Sequence, residues 1–317
     1  MHFERSSRTF ALAAALFTFI GLVIAAPAIA ETKVNPRPSA KALKNKPAKD
    51  LFGRQKTSAP LKPRAIGFYT KGCLAGGVKL PDNGSAWQAM RLSRNRHWGH
   101  PQLVELVKRL AIEAKAQDGW NGLLVGDLAQ PRGGPMLSGH RSHQVGLDAD
   151  IWLTEMPDRI LTARERETMK AVSVIKSRKK VNPKIWTEAH ARLIRRAASY
   201  PEVARIFVHP PIKKALCDWA PKGSNRSWLK KVRAYYGHHY HFHIRIKCPK
   251  GVAGCRNQPP AAPKDGTGCG TELAYWLGPK PWRKPGKPKK PRKKPKPRKH
   301  MKLSALPKAC HGVLTAE

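Results

Sequence analysis

Two clusters of imidazole and carboxylate side chains, about a hundred residues apart, constrain this chain more than any other feature, because both fall on segments that read as strands. The first runs from Ser138 through His140, His143, Asp148 and Asp150 to Trp152. In a strand alternate side chains share a face, so Asp148 and Asp150 point one way while Leu147, Ala149 and Ile151 point the other. A loop through Ser142 to Gly146 can then fold His143 back beside Asp150. The second cluster runs from Gly237 to Ile246, with His238, His239, His241 and His243; His241 and His243 are two apart and share a face.

Imidazole nitrogen and carboxylate oxygen are both zinc donors. A lone His near an Asp is ordinarily a surface pair, and a His-rich run an adventitious metal binder. Four His within six residues at the start of an apolar strand, with a separate His/Asp cluster, point to a metal site. Three protein donors with one open position describe a catalytic rather than a structural zinc, which would acidify water and polarise an amide carbonyl. A neighbouring His can take a proton from the attacking water and return it to the leaving amine, so peptide hydrolysis is the natural reaction class.

The rest of the chain frames that site. Arg5 and Arg8 precede an uncharged run from Thr9 to Ala30 that closes on small residues, the order of a secretory signal peptide over 1–30. An uncleaved anchor is the alternative, since the apolar run is long enough to span a bilayer. No Cys follows the expected cut, which argues against a lipoprotein. Residues 31–64 are rich in Lys, Pro and Ala and read as a mostly disordered basic lead-in. A globular domain is expected over 65–277, a Pro/Lys-rich polybasic segment over 278–300, and a C-terminal segment over 301–317. Between Pro279 and His300 stand 12 Lys and Arg, seven Pro and no acid, so that stretch is expected to be extended, as a linker or as a cationic tether to anionic wall material.

Apolar residues at three- and four-residue steps predict helices over 101–116 and 186–198. Strands are expected at 123–126, 146–153, 205–208 and 240–246. Helices and strands mix without regular alternation, which favours α+β over a doubly wound sheet. Six cysteines in an exported chain favour disulfides. Six cysteines allow 15 pairings, and only Cys248 with Cys255 looks local. No Cys-x-x-Cys pair supports a thiolate zinc site.

At these residues the chain resembles the penicillin-insensitive murein endopeptidases, zinc peptidases with lysostaphin-type and D-Ala-D-Ala-cleaving relatives. The resemblance runs from Phe68–Cys73 through Gly99–Leu103, Gly139–His143, Ile206–Val208, Trp228–Arg233 and Gly268–Gly270 to Cys310. It implies zinc ligands His143, Asp150 and His243, with His140 associated with the metal, His241 as base and His238 stabilising the oxyanion or substrate. Some relatives add an Asp and a His that help hold a second ion; Ser177 to Lys180 has neither. The resemblance pairs Cys73 with Cys310, Cys217 with Cys269 and Cys248 with Cys255, which makes the polybasic segment a tethered loop. The expected fold is thus α+β, a small antiparallel sheet carrying the zinc site, flanked by helices and stapled by disulfides. The implied reaction is hydrolysis of the D-alanyl to meso-diaminopimelyl amide of peptidoglycan in the periplasm, by a soluble mature form. Water, not a serine, would attack, so β-lactams would find no nucleophile to acylate.

Two other classes are weighed against this one. A wall-binding or scaffold protein of the same fold, catalytically inactive, fits the tail but not the complete ligand set. The net charge of +41 suits a polyanion binder, but export and the lack of a recognition motif argue against nucleic acid as partner. Trp120, Trp186 and Trp228 are expected in packing, and His97, His100, His190, His209 and His311 stand apart from the clusters. Asp148 is expected either to support a ligand or to cap a turn.

Overall fold

A computed structural model describes residues 40–283 and 300–317. The expected signal peptide, residues 31–39 and the polybasic run 284–299 lie outside the described residues. Two helices form where the apolar periodicity is clearest. Pro101–Gln117 starts with Pro at its first position, capped by the His100 ring, which accepts from the Gln102 N–H; it buries Leu103, Val104, Val107, Leu110, Ala111 and Ala114. Glu188–Ser199 buries Ala189, Leu193, Ile194 and Ala197. A third helix, Pro210–Trp219, was not expected. Its two prolines read as a break in the sequence, yet they occupy the first turn, where no intrahelical N–H is needed.

These helices share a core with a seven-stranded sheet. Its order is Val232–Ala234, Val203–Val208, His241–Ile246, Asp148–Glu155, Leu123–Val125, Trp87–Ala89 and Asn83–Gly84. The sheet is larger than the small antiparallel one expected, and it is mixed. Val203–Val208 runs parallel to Val232–Ala234, and Trp87–Ala89 parallel to Leu123–Val125. A parallel pair needs a crossover, and here the helices Pro210–Trp219 and Pro101–Gln117 lie within the two connections. The three central pairings, which carry both clusters, are antiparallel.

The central register decides which side chains meet. His243 lies opposite Asp150, Arg245 opposite Asp148 and His241 opposite Trp152. Directly opposed residues share a face, so the two clusters form one polar surface. On the other face Ala149, Ile151, Leu153, Phe242, Ile244 and Ile246 are buried with the helices. Each such Ile, Leu or Phe contributes roughly 1.5–3 kcal/mol by leaving water. A one-residue slip would put every one of them on the polar face, so core burial also fixes the site.

Residues 40–64 correct the expectation of a disordered lead-in. Ala48–Phe52 is a helical turn whose Phe52 is fully buried, in a second apolar cluster with Ala59, Ile66, Cys73, Leu303, Cys310 and Leu314. The Ala48 N–H donates to the Met301 carbonyl, and the Leu303 N–H to that of Lys46. A few apolar residues in a basic stretch suffice because the C-terminal segment supplies Leu303, Leu306, Cys310, Val313 and Leu314 to complete their burial. The Cys73–Cys310, Cys217–Cys269 and Cys248–Cys255 sulfurs lie at disulfide distance, with Cα atoms 5.7, 5.9 and 5.8 Å apart, the pairs that the resemblance implies. Among the described residues no helix is long and apolar enough to cross a membrane.

Candidate metal centre

The chain reaches the centre through a tight loop. Gly139, His143 and Gly146 all have positive φ, and at His143 the value is +67°. A non-glycine residue in this region is uncommon and costs free energy, held here by what surrounds it. The His143 N–H donates to Asp148 Oδ2 at 3.0 Å, and its Nδ1 lies 2.8 Å from the Leu128 carbonyl. That carbonyl can only accept, so Nδ1 carries the proton and Nε2 presents a lone pair. His243 is fixed in the opposite sense: Nε2 lies 2.8 Å from Asp148 Oδ1, leaving Nδ1 as the lone pair.

Both free nitrogens face Asp150. His143 Nε2 is 3.2 Å from His243 Nδ1 and 3.4 Å from Asp150 Oδ1, and His243 Nδ1 is 3.1 Å from the same oxygen. Three lone pairs thus converge with no proton assigned between them, and Asp150 Oδ1 is buried without a hydrogen-bond partner. Donors at zinc–ligand distance in a tetrahedral site stand about 3.4 Å apart, so the residues fit such an ion. A shared proton would satisfy one pair; a metal ion satisfies all three. Burial works to raise the Asp150 pKa, but His143 and His241 outweigh it and hold the carboxyl well below its usual range.

A second set shares two of these residues. His140, His143 and Asp150 offer ligand atoms within 4.8 Å of one another and could hold a metal ion. His140 Nδ1 lies 3.5 Å from Asp150 Oδ2, while its Nε2 lies 2.9 Å from Asp127 Oδ2. The set with His243 is tighter, its donor atoms 3.1–3.4 Å apart. The buried Asp127, which the sequence reading missed, also accepts from Arg94 and Arg96. Its only signal is an acid directly after the apolar Leu123–Gly126 run.

Asp148 joins the His143 turn to the His243 ring. It caps the His143 turn and anchors His243, and its Oδ1 also accepts from Arg245 Nε at 2.7 Å. The Arg245 guanidinium is sandwiched 4.2 Å from the Tyr69 ring and 5.2 Å from that of Phe207. Beyond the trio, His241 shares the face, with Nε2 3.7 Å from Asp150 Oδ1 and a buried Nδ1 lacking a partner. Burial pushes its pKa down to about 4, partly opposed by Asp150. His238 has φ of +56°, donates through Nδ1 to the Tyr236 carbonyl at 2.6 Å, and stands 5.0 Å from the His241 ring. A cleft of about 100 Å³, walled by Arg91, Arg94, Trp152 and Tyr240, opens on Asp150 and His241.

The histidines outside the clusters serve packing. His97 Nε2 faces the Met90 carbonyl, His100 caps a helix, His209 precedes one, and His311 faces the Leu303 carbonyl. His190 Nε2 lies 3.1 Å from the Leu153 carbonyl, its ring against Trp120 and Trp186. Trp120 and Trp228 are buried in the core and Trp186 packs on it. Burial lowers the His190 pKa from 6.5 to about 4. The folded state therefore favours the neutral ring, and its contribution is intact above the unfolded value. It is lost as pH falls from about 6.5 towards 4, by about 3 kcal/mol in full. We expect the urea midpoint to fall across that window and the slope to flatten in His190→Gln, whose amide can still donate to Leu153. An unchanged slope would remove His190 as the cause.

A buried His/His/Asp convergence beside an open cleft is of the kind that metal-dependent hydrolases use. Sequence comparison narrows the class. Residues 65–315 match the family described as penicillin-insensitive murein endopeptidase. Relatives of that name include one from Haemophilus influenzae, 43% identical over 242 residues, which cover 74% of this chain and 82% of the relative. Those of Klebsiella pneumoniae and Yersinia enterocolitica are 40% and 41% identical over 73% and 71% of this chain, and 82% and 80% of their own lengths. The chain belongs to the penicillin-insensitive murein endopeptidase family.

Proposed function

We propose that this murein endopeptidase is zinc-dependent, with His143, Asp150 and His243 as ligands, and that it cuts the D-alanyl to meso-diaminopimelyl amide of peptidoglycan in the periplasm. Family membership supports the reaction class, and the particular bond follows from the resemblance described above. The observation that carries the metal is the meeting of three lone pairs around a buried carboxylate oxygen without a hydrogen-bond partner. When bound, zinc would supply Lewis acidity towards water and the scissile carbonyl.

The remaining roles belong to the chain. His241, held neutral by burial, takes the proton of the attacking water and passes it to the leaving amine. His238, beside it and with its Nδ1 proton on the Tyr236 carbonyl, presents Nε2 as an acceptor that orients the substrate. Asp127 fixes the His140 ring at the margin of the centre. Arg91 and Arg94 line the cleft and favour the anionic peptides of the wall.

The test has two readouts. Purified protein is expected to contain about one zinc per chain after dialysis, measured by mass-spectrometric metal analysis. Digests of cross-linked wall should contain monomeric muropeptides with the D-alanyl carboxyl and the diaminopimelyl amine newly freed. Release of terminal D-Ala with intact dimers would overturn the bond assignment, and full activity without metal would overturn the zinc.

A further inference from the structure

One surface next to the centre is left unexplained by hydrolysis of a peptide bond. Phe207 stands 5.3 Å from the His243 ring and 5.9 Å from the Tyr235 ring. From Tyr235 the rings continue to Trp276 at 5.9 Å; Tyr236 stands 5.2 Å from Trp276 and 5.0 Å from Trp282. Tyr275 adjoins Trp276 at 5.9 Å. The tyrosines are solvent-facing: Tyr235, Tyr236 and Tyr275 are 50%, 42% and 52% exposed, and Trp276 and Trp282 are half-buried. A contiguous exposed patch of large rings on a folded surface marks a binding site more often than chance.

The ledge is rigidly built. The Tyr235 N–H donates to the Val208 carbonyl, which extends the edge of the main sheet into the ledge. The Trp282 indole N–H donates to the Trp276 carbonyl and its ring stacks on His209 at 5.5 Å. The Cys217–Cys269 bridge ties the segment just before Thr271–Leu277 to helix Pro210–Trp219.

We propose that this ledge binds N-acetylated hexosamine rings of the glycan strand to which the cleaved peptide is attached, an inference that rests on the endopeptidase reading. Four features favour a saccharide. The patch is aromatic, not aliphatic, which sets it apart from a lipid-facing or helix-docking groove. The C–H face of a pyranose packs on the electron-rich face of an aromatic ring. Three solvent-facing tyrosines bring phenol hydroxyls to the sugar's peripheral hydroxyl and acetamido groups. The ledge is also continuous with the metal centre: two ring-to-ring steps of 5.3 and 5.9 Å join His243 to Tyr235, and extended peptide advances about 3.5 Å per residue. A stem of a few residues therefore spans from a bond at the centre to a sugar on the ledge.

The probe is N-acetylchitotetraose, an uncharged chain of four N-acetylglucosamine units, for which the polybasic segment has no electrostatic attraction. Trp276 and Trp282 report binding by fluorescence. The full chain should show a saturable change that persists in high salt, and Tyr236→Ala and Tyr275→Ala should each weaken it about tenfold. Tyr236→Phe, which keeps the ring, should weaken it less. On intact wall the alanine variants should raise KM and leave kcat unchanged, while sugar-free cross-linked peptide dimers are cut as by the parent. These two positions are exposed, and unchanged circular dichroism checks that the variants fold. Absence of a saturable change with the parent chain overturns the proposal. An equal rise in KM on sugar-free dimers overturns it too, because the ledge would then grip the peptide. If the parent binds the tetraose but cuts no dimer, the endopeptidase reading fails and the saccharide site stands.

Discussion

Replacing His143 or His243 with alanine is expected to give a folded protein that retains no zinc after dialysis and cuts no cross-linked muropeptide dimer. Each substitution removes one of three lone pairs that meet at 3.1–3.4 Å, and two donors do not hold zinc against dialysis. His241→Ala should behave differently. It removes a neighbour of Asp150, not a member of the trio, so zinc content should be kept while turnover falls by about 10²–10⁴. The contrast between the two kinds of loss is the diagnostic result. A His241→Ala protein without zinc would move that residue into the ligand set, and a zinc-replete, active His243→Ala protein would remove His243 from it.

Asp148→Asn should produce the largest coupled effect. One carboxylate accepts from the His143 backbone, the His243 ring and Arg245, and it is completely buried. An amide offers a donor where a donor already points, and removes the charge that balances Arg245. Leaving a buried guanidinium unpaired costs about 3–5 kcal/mol, read by urea unfolding with chelator present so that folding is measured without metal. Loss of the His243 orientation should weaken zinc about ten- to a hundredfold in competition titration. Adding Arg245→Met should recover stability without recovering affinity, since it removes the stranded charge but not the misdirected ring. Unchanged affinity in Asp148→Asn would show that His243 is oriented by something else.

The sequence made the parts of this site visible more readily than their support. Period-two alternation in 146–153 and 240–246 put the right side chains on one face, because core burial of Ile151, Phe242 and Ile244 dictates it. Strand order was not legible: nothing local says that Leu123–Val125 and Val203–Val208 flank the pair. For the same reason Asp127 was missed, since its importance comes from three partners that converge only in three dimensions. The proline-led helix Pro210–Trp219 and the packed Phe52 were lost to composition, the first to Pro and the second to a lysine-rich setting. Asp148 was visible as a residue, but its double use depends on the positive φ at His143, which no pattern announces.

The bridge between Cys73 and Cys310 spans 237 positions and so closes most of the chain into a covalent ring. The run 284–299 lies inside that ring, is dense in lysine and arginine, and keeps trypsin-like sites at Lys289, Arg292, Lys293, Arg298 and Lys299, which no proline follows. A single cut there opens the ring but sheds nothing. The fragment carrying Leu303 and Cys310 remains fastened to the strand Lys71–Ala75, so one nick converts a ring into a two-chain enzyme of unchanged mass apart from one added water. Its two pieces part company only under reduction.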